Sequence, residues 1–391
     1  MERSFWLDTI HHRFKTHRIL GLLGPRQCGK TTLARAYLET TKKIPRRNYF
    51  DLENPNDAER LKHPYQVLKE LEGLIVIDEV QRAPNLFPIL RVLHDEFPQK
   101  KFLILGSASK DLIQKSSESL TGRIYYEEIT PFSFFETGEW KHLWFRGGFP
   151  RSYLASSDEE SLEWREGYVR TLLEQDVPNL GFQIPALHLR RFWMLLAHCH
   201  GQIFNAHQLA QNLNLSPQSA KRYLDLLHDM LMVRILAPWY ENMGKRQVKS
   251  AKIYIRDSGI FHYLSHMGTQ DTFALSLQRG HSFEGFVIEE IIRTLRLKSE
   301  DCFFWSTHSG AELDFLAFVK GKKIGFEIKL TDTPSLTKSM HIALHDLKLD
   351  HLYVIHPGDV SWPLNDQTTA LCFSDIITLQ KIFLENRLLN G

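Results

Sequence analysis

The stretch Gly24-Pro25-Arg26-Gln27-Cys28-Gly29-Lys30-Thr31-Thr32 constrains this chain more than any other. A glycine, a gap, a second glycine, then Lys-Thr is the spacing of a phosphate-binding loop. Residues 18–23 before it read as a short buried strand, and residues 33–38 after it as a helix. That order aims backbone N–H groups and a helix N-terminus at a phosphate. Lys30 is then placed to reach the β- and γ-phosphates, and the Thr31 hydroxyl to sit on Mg²⁺. A glycine turn with a chance Lys-Thr is the plainer alternative. The flanking strand and helix argue against it.

A second stretch fits the same chemistry. Leu74-Ile75-Val76-Ile77-Asp78-Glu79 is a continuous apolar run ending in two acids. Such a run marks a strand buried on both faces, as in a parallel sheet. Asp78 is expected to help hold Mg²⁺, and Glu79 to polarise an attacking water. A buried strand that merely ends in surface acids is less consistent with a phosphate loop at this distance. Further short strands are expected at residues 48–52 and 101–107, and helices at 57–71, interrupted by Pro64.

Composition limits the partners. At 391 residues the chain exceeds one ordinary domain. A hydrophobic fraction of 43% and a charged fraction of 24% are those of a globular protein. Net charge is only +2, so any nucleic-acid footprint must be local. Cys28, Cys199, Cys302 and Cys372 are scattered, without C-x-x-C spacing. That argues against a disulfide framework or zinc site and fits a reducing, cytoplasmic setting. His11-His12 and His198-x-His200 lack metal-ligand spacing. No signal peptide or long apolar run is visible, so no membrane partner is expected.

The residues now resemble a family. The two stretches above, Gly106-Ser107, residues 120–123, Pro131-Phe132-Ser133-Phe134-Phe135-Glu136 and Gly147-Gly148-Phe149-Pro150 are similar to a prokaryotic family of AAA-superfamily P-loop ATPases. That family carries a C-terminal domain of unknown function, and the resemblance covers nearly the whole chain. It implies an ATP-binding, ATP-hydrolysing domain using Mg²⁺. It places Ser107 where many such ATPases keep a polar sensor of the γ-phosphate; a simple strand exit is the bland reading. It makes Arg123 a candidate arginine finger, acting in cis or on a neighbouring subunit, which would require an oligomer.

Past residue 150 the chain reads as helices over 159–176 and 187–200. Residues 201–236 look like a winged helix. A short helix spans 205–213, and Ser216-Pro217 opens a second one. Ala220, Tyr223, Leu224, Leu227 and Leu231 make one buried stripe there. Gln218, Lys221 and Arg222 fall outside it, where a recognition helix would face DNA. Lys245, Arg246, Lys249 and Lys252, with Tyr240 and Tyr254 nearby, suggest a basic patch. A packing or dimerisation unit with a solvated charged face is the equal alternative.

The C-terminal part carries four more candidates. Residues 282–297 read as an amphipathic helix carrying Glu284, and 303–306 as a strand. Residues 312–319 and 324–330 read as strands joined at Lys320-Gly321-Lys322-Lys323. Glu327 and Lys329 share a strand face, and Asp314 can meet them across the hairpin. Glu284 could complete three carboxylates and a lysine. This looks like the PD-(D/E)xK nuclease core, whose acids hold Mg²⁺ beside a scissile phosphate. A helix over 335–347, a strand over 351–356 and a final helix over 374–389 complete the expectation.

The expected organisation is α/β and multidomain. It comprises an AAA-like parallel-sheet domain at 1–150, a helical and winged-helix region at 151–240, and a nuclease-like α/β domain at 241–391. The first functional expectation is an ATPase whose later domains engage DNA or a protein. The alternatives are an ATP-gated nucleic-acid-binding switch with little turnover, or an ATP-regulated metal-dependent nuclease.

Overall fold

A computed structural model describes residues 3–40, 46–107, 118–240 and 250–384. The chain divides into two compact units. The first is Met1–Phe132 with Asp229–Leu231, and the second is Ser133–His228 with Met232–Gly391. Helices of seven residues or more are labelled here; shorter helical turns are given by range.

The first unit is a parallel α/β sheet. Its elements are α1 (Ser4–Arg13), β1 (Ile19–Gly24), α2 (Lys30–Thr40), β2 (Tyr49–Asp51), β3 (Leu74–Asp78), α3 (Leu86–Glu96), β4 (Lys101–Ser107) and β5 (Ile124–Glu128). The strand order is β2-β3-β4-β1-β5, every pair parallel. Every residue of β1 and β3 is buried, as a strand with both faces covered requires. Ile19, Ile75, Ile77, Phe102 and Ile104 pack there with Phe87 and Leu90 of α3. At about 1.5–3 kcal/mol per buried large apolar side chain, this core holds the strands in register. β4 lies between β1 and β3, so the strands carrying the two motifs are not neighbours, yet both end at one sheet edge.

The second unit holds α4 (Trp140–Arg146), α5 (Asp158–Thr171), α6 (Ala186–His198), β6 (Gln202–Ile203), α7 (Ala206–Asn212) and α8 (Pro217–Asp229). The last residue of α8 counts with the first unit. Then come β7 (Val233–Pro238), β8 (Lys252–Ile255), α9 (Ser258–Leu264), α10 (Arg279–Leu295), β9 (Cys302–Ser306), β10 (Glu312–Val319) and β11 (Lys322–Ile328). α11 (Lys338–Leu347), β12 (His351–His356), β13 (Trp362–Asn365) and β14 (Thr368–Cys372) follow. A single nine-stranded sheet runs β13-β14-β12-β11-β10-β9-β7-β8-β6.

Three differences from the sequence reading have physical causes. The division falls after Phe132 rather than 150. Trp140 and Trp144 pack on Phe283, with Phe134 and Phe286 against Phe373, so residues 133–150 share the second unit's aromatic core. No break falls at 240, because β7 pairs in parallel with β9 through Ala237↔Phe303 and Pro238↔Phe304. The C-terminal strands β13 and β14 stand between the strand expected over 351–356 and the helix expected over 374–389, where no strand was expected. The expected last helix is a 3-10 turn at Phe373–Asp375 and a short helix at Thr378–Phe383 within the described residues.

Gly147-Gly148-Phe149-Pro150 meets a second turn, Asp257-Ser258-Gly259, in the second unit. Gly147 adopts φ +78°, and a Cβ there would lie 2.2 Å from Asp257 Oδ1. Asp257 accepts hydrogen bonds from the Gly148 N–H (2.8 Å) and the Ile260 N–H (2.9 Å). A Cβ at Gly259 would sit 2.1 Å from the Arg146 carbonyl oxygen. Gly-Gly-Phe-Pro and Asp-x-Gly are thus two halves of one backbone contact, which explains the residue types without catalysis.

Candidate functional site

The phosphate loop follows β1 directly. Gly24 is its last residue, and a Cβ there would lie 2.3 Å from the Ile129 carbonyl oxygen, so only glycine fits. Gln27 and Gly29 have φ of +61° and +97°, which turns the Pro25-to-Gly29 backbone back on itself. Lys30 opens α2 and is 6% exposed. Its ammonium donates to the Gly24 and Pro25 carbonyls, each at 2.9 Å. Two neutral acceptors hold it over the loop, where a phosphate oxygen is the stronger partner.

Thr31 and Asp78 join the two motifs. The Thr31 hydroxyl donates to Asp78 Oδ2 at 2.8 Å. Tyr49, on β2, donates its hydroxyl to the same oxygen at 2.7 Å. Burial and the Asp78 charge push the Tyr49 phenol well above its usual range, so it remains a donor. Asp78 Oδ1 accepts from the Glu79 N–H at 3.0 Å. This set of a hydroxyl, a carboxylate and a loop lysine fits Mg²⁺ with a triphosphate. The steric cradle at Gly24 supports that fit.

Glu79 sits in the left-handed region, at φ +54° and ψ +44°. That turn swings its side chain out of the strand. Burial raises its pKa, and the nearby Lys30 charge opposes the rise. The Gln81 amide donates to its carboxylate. Ser107, half-buried at the end of β4, is in register with Gly24. All of these groups lie at the C-terminal edge of the sheet.

Arg123 is elsewhere. It precedes Ile124, which is in register with Ile19, the first residue of β1. The loop follows the last residue of that strand, about 17 Å away at roughly 3.3 Å per residue. Within one chain Arg123 therefore does not reach the loop, and the cis reading is corrected. Its guanidinium instead forms two 2.9 Å hydrogen bonds to Asp95. These hold the Asp95 carboxyl well below its usual range.

Sequence reasoning missed the brace behind the loop. Arg3, 8% exposed, donates to the Cys28 carbonyl at 3.0 Å and to the Thr130 carbonyl at 2.9 Å. Its partners are backbone atoms far along the chain, so no local pattern announces it. Arg26 and Arg82 both pair with Glu53, at 2.9 and 3.0 Å. Glu53 thereby links the phosphate loop to the turn after β3.

The C-terminal candidates share their surroundings with groups the sequence did not place beside them. Glu284 lies on α10, Asp314 on β10, Glu327 on β11, and Lys329 just beyond. Asp314 Oδ2 accepts from the Ile328 N–H at 2.8 Å. Lys329 donates to Glu327 Oε1 at 2.7 Å, and Glu327 Oε2 has no partner. Glu284 Oε1 accepts from the Tyr254 hydroxyl at 2.6 Å and from the Lys252 ammonium at 3.4 Å. Lys252 also pairs with Glu312, and His281 Nδ1 lies 3.6 Å from Glu284 Oε2.

Lys252 and Tyr254 were expected on a basic surface patch. They are 4% and 0% exposed, because α10 presses on the Tyr254 ring and the Lys252 ammonium lies over Phe304. The other patch residues, Lys245, Arg246 and Lys249, lie outside the described residues. Burial works to raise Glu284, but Lys252, His281 and Tyr254 outweigh it and bring its pKa down to about 2. Burial together with the Glu327 and Glu284 charges lifts Asp314 well above its usual range. Among the described residues, no three His, Cys, Asp or Glu side chains are grouped to hold a metal ion.

The parallel sheet, the cradled lysine and the joined Thr31–Asp78 pair define an α/β protein of the P-loop ATPase class. The family model of an AAA domain matches residues 16–138. Two domains of unknown function, DUF8612 and DUF4143, match residues 137–271 and 279–376. Uncharacterised proteins of Mycobacterium tuberculosis and Mycobacterium bovis are each 47% identical over 362 residues, 91% of this chain and 80% of theirs. The chain belongs to their family, the AAA-type P-loop ATPases with a C-terminal DUF4143 domain. A Walker-type ATPase of Pyrococcus abyssi is similar at 16% identity and TM-score 0.45, over 67% of this chain and 95% of that one. Among the described residues no helix is long and apolar enough to cross a membrane.

Proposed function

We propose that the protein binds and hydrolyses Mg·ATP, and does so as an oligomer. The observation that carries this reading is the 2.8 Å hydrogen bond from Thr31 to Asp78, which brings the two motifs to one point beside Lys30. Mg²⁺, when bound, supplies charge neutralisation at the β- and γ-phosphates. Lys30 exchanges its two carbonyl partners for phosphate oxygens. Thr31 and Asp78 hold the metal, with Tyr49 fixing the Asp78 carboxylate. Glu79 orients the attacking water and accepts its proton. Its raised pKa brings the carboxylate nearer the operating range of a general base. Ser107 faces the loop as a polar contact to the γ-phosphate.

Arg123 is offered to a neighbouring copy. It lies at the sheet edge opposite the loop and lines an open recess of about 490 Å³ with Arg91, Asp95 and Glu118. The test is turnover measured as phosphate release. Arg123→Ala keeps an intact loop and lacks the finger, while Lys30→Ala keeps the finger and lacks the loop lysine. Each alone is expected to be inactive, and mixing them to restore part of the activity. Full activity of Arg123→Ala alone removes the finger assignment, and full activity of Lys30→Ala removes the ATPase reading. ATP binding without measurable turnover in the wild type leaves the nucleotide-gated switch instead.

A second reading concerns α7 and α8 with strands β7 and β8, a winged-helix arrangement that would engage DNA in the cytoplasm. Its support is the exposure of Gln218, Lys221 and Arg222 on α8, opposite the buried Ala220, Tyr223, Leu224 and Leu227. Lys221→Ala and Arg222→Ala should each lower the salt slope of duplex binding by about one. A slope that neither substitution changes removes α8 from the interface.

A further inference from the structure

The acidic cluster of the second unit looks like a metal site by residue type. Its geometry points elsewhere. One oxygen of each of three carboxylates already has a partner supplied by the chain, and of their oxygens Glu327 Oε2 alone is buried without one. Glu284 Oε1 accepts from Tyr254 and Lys252, Glu327 Oε1 from Lys329, and Asp314 Oδ2 from a backbone N–H.

Lys252 is the decisive group. It sits on β8, in register with Ile203 on one side and Leu236 on the other. A residue paired on both edges of its strand cannot move its backbone without breaking the sheet. Its ammonium lies 5.5 Å over the Phe304 ring, 3.4 Å from Glu284, and is paired with Glu312. Asp314 also feels its charge. The partners are equally fixed. A Cβ at Gly285 would stand 2.2 Å from His200 Nε2 and 3.2 Å from Tyr254, so α10 is pressed against β8 beside Glu284. Glu312 and Asp314 come from one strand and Glu284 from one helix.

We propose that Lys252 is the resident cation of this cluster. Its ammonium takes the place between Glu284 and Glu312 that a divalent metal would occupy, and so ties β8 and α10 to β10. The cluster is a charge-balanced structural hub, not a metal-dependent nuclease centre. Lys329 plays the lesser, half-exposed role beside Glu327. This inference does not depend on the ATPase reading, whose failure would appear in turnover by Lys30→Ala.

The test is Mn²⁺ titration of the nucleotide-free, full-length protein, followed by electron paramagnetic resonance and by thermal melting. Wild type and Asp314→Asn are expected to take up Mn²⁺ identically, with the same melting temperature in its presence and absence. A saturable Mn²⁺ site in wild type that Asp314→Asn abolishes would overturn the proposal. Lys252→Met is expected to melt lower, to gain a Mn²⁺ site, and to recover part of its melting temperature when Mn²⁺ is added. Lys252→Arg keeps a cation and should stay indifferent. A folded Lys252→Met that neither binds Mn²⁺ nor responds to it overturns the proposal as well. If Lys252→Met does not fold, the comparison of wild type with Asp314→Asn decides alone.

Discussion

Two buried lysines of this chain meet carboxylate-rich surroundings and are held in opposite ways. Lys30 donates to two neutral carbonyls of its own loop. Lys252 pairs with Glu284 and Glu312. Neutral acceptors cost little to exchange, so Lys30 remains available to a more strongly charged ligand. Lys252 and Glu284, both buried, do not let go, because separating them leaves an uncompensated buried ion. The same residue type is thus a ligand-binding group in one unit and a structural counter-ion in the other.

Substitution should separate the two lysines sharply. Lys30→Ala is expected to abolish ATP turnover, with phosphate release at background. Its unfolding midpoint should stay close to that of wild type, since only two hydrogen bonds to backbone are lost. A large loss of stability in Lys30→Ala would mean that the loop lysine is structural too, and the contrast would collapse.

Within the nucleotide site, Glu79→Gln sharpens the picture further. Turnover should fall by about 10²–10⁴, the usual worth of a positioned general base. ATP affinity, read by fluorescence of a bound nucleotide analogue, should persist. Equal loss of binding and turnover would assign Glu79 to holding the nucleotide instead.

Lys252→Met carries the opposite expectation. Removing one partner of a buried ion cluster costs about 3–5 kcal/mol, read from urea unfolding. ATP turnover per folded molecule should be retained. A near-neutral effect on stability would show that Tyr254 and His281 suffice to hold Glu284.

These contrasts also show what a sequence carries. The phosphate loop and the Asp78-Glu79 strand were legible because each motif is contiguous and its chemistry depends on local backbone. The hairpin at Lys320-Gly321 was legible for the same reason, with both residues at positive φ. The position of Arg123 was not. β5 is Ile-Tyr-Tyr-Glu-Glu with no fully buried residue, so nothing in it declares a strand at the edge of a parallel sheet. Lys252 was misread because Lys-Ile-Tyr-Ile beside other lysines has the pattern of an exposed strand. Only α10 against β8, with Phe304 under the Lys252 ammonium, turns that face inward. Arg3 was invisible, since its carbonyl partners are set by tertiary structure alone.

The smallest expected effect concerns pH and again divides the units. His262, in the second unit, is fully buried, its Nδ1 facing the Phe145 carbonyl at 2.9 Å and its Nε2 the Ser282 hydroxyl at 2.6 Å. Arg165 and His200 are the charged or titratable groups facing it. Burial lowers its pKa from the ordinary 6.5 to about 3. The native chain therefore keeps the ring neutral while the unfolded chain takes up a proton below about pH 6.5. The contribution is fully present above that value and is lost as pH falls toward 3, at up to about 1.4 kcal/mol per pH unit. Trp144, Trp193 and Trp305 are all buried in this unit, so their fluorescence reports its unfolding. Urea midpoints followed this way should fall between pH 6.5 and 5, and His262→Gln should flatten that slope. An unchanged slope in His262→Gln would move the pH sensitivity to His200, whose pKa burial also lowers to about 3.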